Sequence, residues 1–166
     1  MFRKTADFLA TWKEESTNTV RLLSALTDAS LSTRTDPEGR TLGKIAWHVV
    51  ETCPEMLPSA GLKLDFHVDA EAVPQRASVI ADEYRRGADL LGEAVASQWT
   101  DEMLLETTPM YGMDWPRGFT LLCLLTHQAH HRGQMSILMR QAGLVVPGMV
   151  GPSREEWATM GLPQHA

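Results

Sequence analysis

His127 and His131 stand four residues apart in the stretch LLCLLTHQAHHRGQ, residues 121–134. On an α-helix, positions i and i+4 lie one above the other, about 40° apart around the axis. Two imidazoles so placed can turn a nitrogen lone pair to one point, the arrangement by which paired helical histidines hold a metal ion. The plainer alternative is a pair of core histidines satisfied by hydrogen bonds. His130 is rotated about 60° from His127 and about 100° from His131, which makes it a cavity-wall or outer residue rather than a partner in the pair. Leu124, Met135 and Leu138 share the face of His127 and His131, so that face points toward a core.

A third ligand must come from another helix. His48, in AWHVVE, is the histidine on a predicted helix outside this stretch, and Glu51, one turn further on, is the carboxylate candidate. Cys123, one turn before His127, could face the same cavity, although an apolar core thiol is the simpler reading. His67 falls in a loop and is expected to be solvated.

The elements that would position these side chains follow from periodicity. Phe8, Leu9, Trp12, Val20, Leu23 and Leu26 keep helical spacing, so a first helix runs from about Thr5 to Leu26. Ser16 and Thr19 fall on its stripe, either bonded to their own helix or lining a polar cavity in mid-bundle. Thr41 caps a second helix, TLGKIAWHVVETCPEML, in which Pro54 should cause a kink or a restart. Leu42, Ile45, Ala46, Val49, Cys53 and Met56 form its core arc, with His48 at the margin and Glu51 and Glu55 beside it. Trp47 and Val50 are left over on other sides, which suggests a second contact such as a subunit partner. Residues 58–74 connect to a third helix opened by Pro74, with the stripe Ala77, Ile80, Tyr84, Ala88, Leu91 and Val95. From Trp99 to Gly118 the chain is rich in turn formers, and an ordered loop with extended pieces around Thr107 to Tyr111 is expected. Its Met110, Tyr111, Met113 and Trp115 should pack down as a lid or against a neighbouring subunit.

The fourth helix spans about Pro116 to Ala142, stopped by Gly143. Its first half, FTLLCLLT, is apolar almost all round and should be covered on more than one side. Ser153 caps a short last helix, REEWATM, anchored by Trp157. Four long helices without alternating strands or repeats give an all-α four-helix bundle, with a short extra C-terminal helix and an ordered loop before helix four.

Bulk properties narrow the function. The 166 residues fit one domain, 1–166, long enough to bury a core without staples. A net charge of -6 with no basic run argues against nucleic acid. No apolar run approaches a membrane span, and the N-terminus lacks a signal-peptide core. Cys53 and Cys123 lack metal-type spacing and are expected to be free thiols in a cytoplasmic protein.

The histidine of AWHVVE followed by HQAHHRGQ resembles the DinB-like (DinB/YfiT) superfamily of metal-binding four-helix bundles. That superfamily includes bacillithiol and mycothiol S-transferases and maleylpyruvate isomerase. The likeness covers most of the chain, through the Arg40-Thr41-Leu42-Gly43 helix start, the PMYGMDWPRG turn and the HHRGQ helix. It implies that a three-histidine motif falls on His48, His127 and His131, binding one divalent metal ion per chain, zinc or nickel, with water in the open positions. It implies a homodimer, in agreement with the surplus apolar surface on helices two and four. It also implies a low-molecular-weight thiol, bound as thiolate at the ion and transferred to a small-molecule electrophile. No ligand role carries over to His130. No general base stands out: Glu51, His130 and Tyr111 are the candidates. A non-catalytic metal-binding bundle with a regulatory or stress-related role is the other reading.

Overall fold

Four amphipathic helices bury their apolar stripes against one another, and the pairing of the second with the fourth builds the site. The computed structural model describes residues 1–161, so the last five positions of the expected 1–166 domain lie outside the described residues. The elements are α1 (Thr5–Ser24), α2 (Leu42–Ser59), α3 (Ala77–Gln98), β1 (Thr107–Met110), β2 (Met113–Pro116), α4 (Arg117–Gln141) and α5 (Arg154–Thr159). Helix α1 packs on α3, α3 on α2 and α2 on α4, and α4 also touches α1.

The expected stripes are the core. Phe8, Trp12, Leu23 and Leu26 of the first stripe are buried, as are all six positions named for α2 and all six for α3. Several helix ends are fixed by identifiable bonds. Thr41 accepts from the Lys44 N–H at 3.1 Å, an N-cap of the ordinary kind. The start of α3 lacks a local cap, and Asp28, from the 3₁₀ turn Asp28–Ser32, accepts the Ala77 N–H at 2.7 Å instead. Gly143, with φ +74°, ends α4, and Leu144 N–H returns to Met139 O.

Three expectations are corrected. Of the kink or restart expected at Pro54, the restart does not occur, and helix α2 continues to Ser59 with Pro54 and Pro58 inside it. Proline removes one backbone donor, and packing on both sides of α2 holds the remaining turns. Secondly, Trp47 and Val50 are not left for a partner subunit, because both are buried within the chain. The connection after α2 folds back over this side: Trp47 Nε1 donates to Asp69 O at 2.8 Å and Lys44 Nζ to Ala70 O at 2.9 Å. Thirdly, the Ser153 hydroxyl caps nothing and has no hydrogen-bond partner. Glu156 ties down that corner by accepting the N–H groups of Ser153 and Gly148.

The extended pieces before α4 form a hairpin in which Met110 pairs with Met113. The turn residues Tyr111 and Gly112 have φ of 50° and 78°, the double positive φ of a two-residue type I′ turn. Met110 is buried, whereas Tyr111 and Met113 are exposed, so the hairpin packs down by one face only. The chain start is clamped over α4, where Phe2 N–H donates to Gly118 O at 3.0 Å. A Cβ on Gly118 would sit 2.0 Å from Phe2 O, so only glycine permits this approach.

Candidate metal centre

The α2–α4 contact brings three imidazoles to one point. His48 Nε2 lies 3.1 Å from His127 Nε2, and His131 Nε2 lies 3.0 Å from the same atom. Among the described residues, His48, His127 and His131 are the group whose ligand atoms could hold a metal ion, all within 4.8 Å of one another. His131 is buried and the other two are half-buried. Leu124, Met135 and Leu138, on the same face of α4, are buried as expected.

The far nitrogens fix the tautomers. His48 Nδ1 donates to Glu51 Oε2 at 2.9 Å, and His131 Nδ1 donates to Gln134 Oε1 at 2.8 Å. A carboxylate or amide oxygen only accepts, so the Nδ1 atoms carry the protons and both Nε2 atoms present lone pairs. Both lone pairs face His127 Nε2. A neutral His127 has at most one proton there, which can satisfy one neighbour and not both. Burial holds the His127 pKa below the usual imidazole value, with His48 adding to the effect. Burial likewise pushes His131 down to about 4, against the opposing hydrogen bond to Gln134 and with His127 and His48 adding to it. Protonation is therefore a poor remedy for the crowded lone pairs, whereas a divalent cation accepts all of them. Neutral imidazoles held by hydrogen bonds at the remote nitrogen are the donor set expected around zinc and related ions.

The other candidates separate from this group. Glu51 is half-buried and bonded to His48, so it orients that imidazole rather than facing solvent. Tyr111 donates to Glu55 Oε1 at 3.2 Å and is 65% exposed; burial of its hydroxyl and the Glu55 charge raise its pKa. Cys123 is half-buried against the core and Cys53 fully buried, both as free thiols. His67 is exposed. His130 is exposed and edge-on to His131, with ring centroids 5.1 Å apart. It lines a cavity of about 530 Å³ together with His131, Gln134, Ile45 and Leu138.

Behind the histidines lies a buried polar chain that periodicity did not identify. Tyr84 donates to Gln128 Oε1 at 2.8 Å, and Gln128 Nε2 donates to Thr52 Oγ1 at 2.8 Å. Next to it, Arg132 donates to Glu15 O and Thr19 Oγ1, each at 2.9 Å, and pairs with the Glu15 carboxylate. Thr19 donates to Glu15 O of its own helix, the first of its two sequence readings, and also accepts from the buried Arg132 guanidinium in mid-bundle. Ser16 bonds only to its own helix, at Lys13 O. Gln128, Arg132 and Gln134 are the functional or supporting residues that sequence reasoning missed. The available signal was Thr19, a polar residue on an apolar stripe that needed a partner.

Comparison with known proteins agrees with this fold. The family model described as DinB family matches residues 1–165. The Bacillus subtilis (strain 168) protein YrdA is 42% identical over 162 residues, covering 98% of this chain and 97% of its own. A DinB-like protein from Bacillus cereus ATCC 10987 superposes with a TM-score of 0.86 at 42% identity, over 89% of this chain and 99% of that one. A second DinB-like structure, YjoA of Bacillus subtilis, gives a TM-score of 0.68 at 14% identity over 86% and 97% of the two chains, a likeness of fold. With the family matched along nearly its whole length, the chain belongs to the DinB family.

Proposed function

We propose that this protein is a divalent-metal enzyme that transfers a low-molecular-weight thiol to a small electrophile, in a detoxification or stress role. The observation that carries the reading is the convergence of three Nε2 atoms beside a cavity large enough for such a ligand. Glu51 and Gln134 hold His48 and His131 in the tautomers that leave those nitrogens free to bind an ion. Zinc or nickel suits three imidazoles, one ion per chain. An ion held by three protein nitrogens keeps exchangeable positions, and it would lower the pKa of a bound water or thiol or polarise a carbonyl.

The chain's own residues then bind, orient and move protons. A thiol entering the cavity loses its proton, its sulfur forms a bond to the electrophilic carbon, and the leaving group departs with the electrons of its own bond. Of the three candidate proton carriers, His130 lines the cavity. Glu51 is engaged by His48, and the raised pKa of Tyr111 keeps its phenol protonated. The same reading takes the protein to be a cytoplasmic homodimer. No described helix is long and apolar enough to cross a membrane, and in support of the dimer the first half of α4 keeps Phe119, Leu122 and Cys123 half-exposed.

Elemental analysis of purified protein tests the metal, with about one divalent ion per chain expected and a loss of it in His48→Ala. Full retention in that variant removes His48 from the site. The reaction is tested separately, by following conjugation of cellular thiols to a panel of electrophiles with metal-loaded protein and with His131→Ala. Inert metal-loaded protein across the panel would replace this reading with a non-catalytic metal-binding bundle.

A further inference from the structure

Arg21, Arg117, Arg132 and Arg140 each meet a carboxylate. Arg40 does not. It is exposed, it lines the cavity beside His131, and no described residue makes an ion pair or hydrogen bond with it. Ile45 and Leu138, both buried, and Ile137, exposed, form the aliphatic part of the lining. The cavity lining therefore combines a guanidinium, an aliphatic patch and the imidazoles of His130 and His131. A guanidinium offers a planar fork of donors that matches a carboxylate in two parallel bonds. Exposed and without a protein partner beside the aliphatic lining, it is available to an anion from solution.

We propose that this cavity binds a small organic anion, with its carboxylate on Arg40, its apolar body against Ile45, Ile137 and Leu138, and its other end at the histidines. The last part rests on the proposed metal site; the Arg40 subsite does not. The inference names the class of substrate or thiol as one carrying a carboxylate.

The test is calorimetric titration of 2-naphthoate and its neutral amide, 2-naphthamide, into metal-free and metal-loaded protein in a buffer without carboxylate or phosphate. With metal-free protein, naphthoate should bind about tenfold tighter than the amide, the contribution of one charge-assisted pair. Arg40→Gln should bring naphthoate down to the affinity of the amide and leave the amide unchanged, and Arg40→Lys should keep part of the preference. Because Arg40 supports no contact within the fold, both variants should retain the wild-type melting temperature. Equal affinity of the two probes for metal-free wild type overturns the proposal, as does a preference that survives Arg40→Gln. A carboxylate preference that appears only with metal loaded also overturns it, since the carboxylate is then on the ion. Protein that takes up no divalent ion defeats the metal reading alone, and the naphthoate preference in metal-free protein then still supports the Arg40 subsite.

Discussion

His131 donates its Nδ1–H to Gln134 Oε1 at 2.8 Å and turns its Nε2 to within 3.0 Å of His127 Nε2. One turn of α4 thus supplies both an imidazole that could hold an ion and the group that sets its tautomer. Replacing Gln134 by Leu frees the ring to rotate and to move its proton to Nε2, where it competes with an ion. We expect Gln134→Leu to weaken divalent-ion binding by about 10- to 100-fold, while the metal-free protein melts as wild type, because Gln134 is exposed. Competition with a chromogenic chelator reads the affinity. An affinity within twofold of wild type would sink the orienting role.

Acid should destabilise the metal-free protein through the same residues. His131 is held down at about 4 and His127 below its usual value in the fold, whereas an unfolded imidazole titrates near 6.5. Between those values the unfolded chain binds more protons than the folded one, so stability falls as pH drops from about 6.5 toward about 4. Below the folded value both states are protonated and the effect levels off. Denaturant titrations of chelator-treated protein at pH 7.0, 5.5 and 4.5 should show this loss, and His131→Gln should flatten it. A pH dependence identical in His131→Gln would assign the acid limb to other groups.

The pair Arg132–Glu15 makes an asymmetric prediction. The Arg132 side chain is 3% exposed and that of Glu15 is 26% exposed. Removing the guanidinium leaves a carboxylate that can turn to water. Removing the carboxylate leaves a buried cation with only Glu15 O and Thr19 Oγ1 as acceptors. Glu15→Ala should therefore cost about 3 kcal/mol or more, toward the range for breaking a buried pair from one side. Arg132→Met, with a side chain that still fills the space, should cost less. Urea unfolding of the two variants decides it, and equal losses or the reverse order would contradict the burial argument.

The bundle could be read from the sequence because burial there follows one rule: apolar residues at helical spacing face inward. The stripes of α2 and α3 and the i, i+4 pair His127 and His131 obey it. Gln128 and Arg132 do not. They lie on the buried side of α4 because Tyr84, Thr52, Thr19 and Glu15, on three other helices, satisfy them. Such partners are distant in sequence, and periodicity says nothing about them. Trp47 and Val50 show the converse error. Surplus apolar surface on a helix signals a second contact without saying which chain supplies it, and here the segment after α2 does. The resemblance joined His48 to the pair, and the hydrogen bond that its Nδ1 donates to Glu51 then explains why that imidazole is aimed at it.

The surface of the hairpin and the first half of α4 carries the remaining test, of assembly. Tyr111, Trp115 and Phe119 form a run of edge-to-face rings, with centroids 5.7 and 5.0 Å apart. Tyr111 is 65% and Met113 57% exposed, and Leu122 and Cys123 continue the strip half-exposed along α4. A contiguous apolar strip of this kind is costly on an isolated chain. Covering it in a two-fold dimer would place the same strip of a second copy against it. A charge at its centre should oppose that contact by a desolvation penalty that rim residues would escape. Met113→Glu adds such a charge on an exposed strand position, where the fold itself is not disturbed. Light scattering after gel filtration should give twice the chain mass for wild type and the single-chain mass for Met113→Glu, with the melting behaviour of the isolated chain retained. A wild-type protein that is monomeric at micromolar concentration, or a Met113→Glu variant that still dimerises, would rule out this strip as the interface.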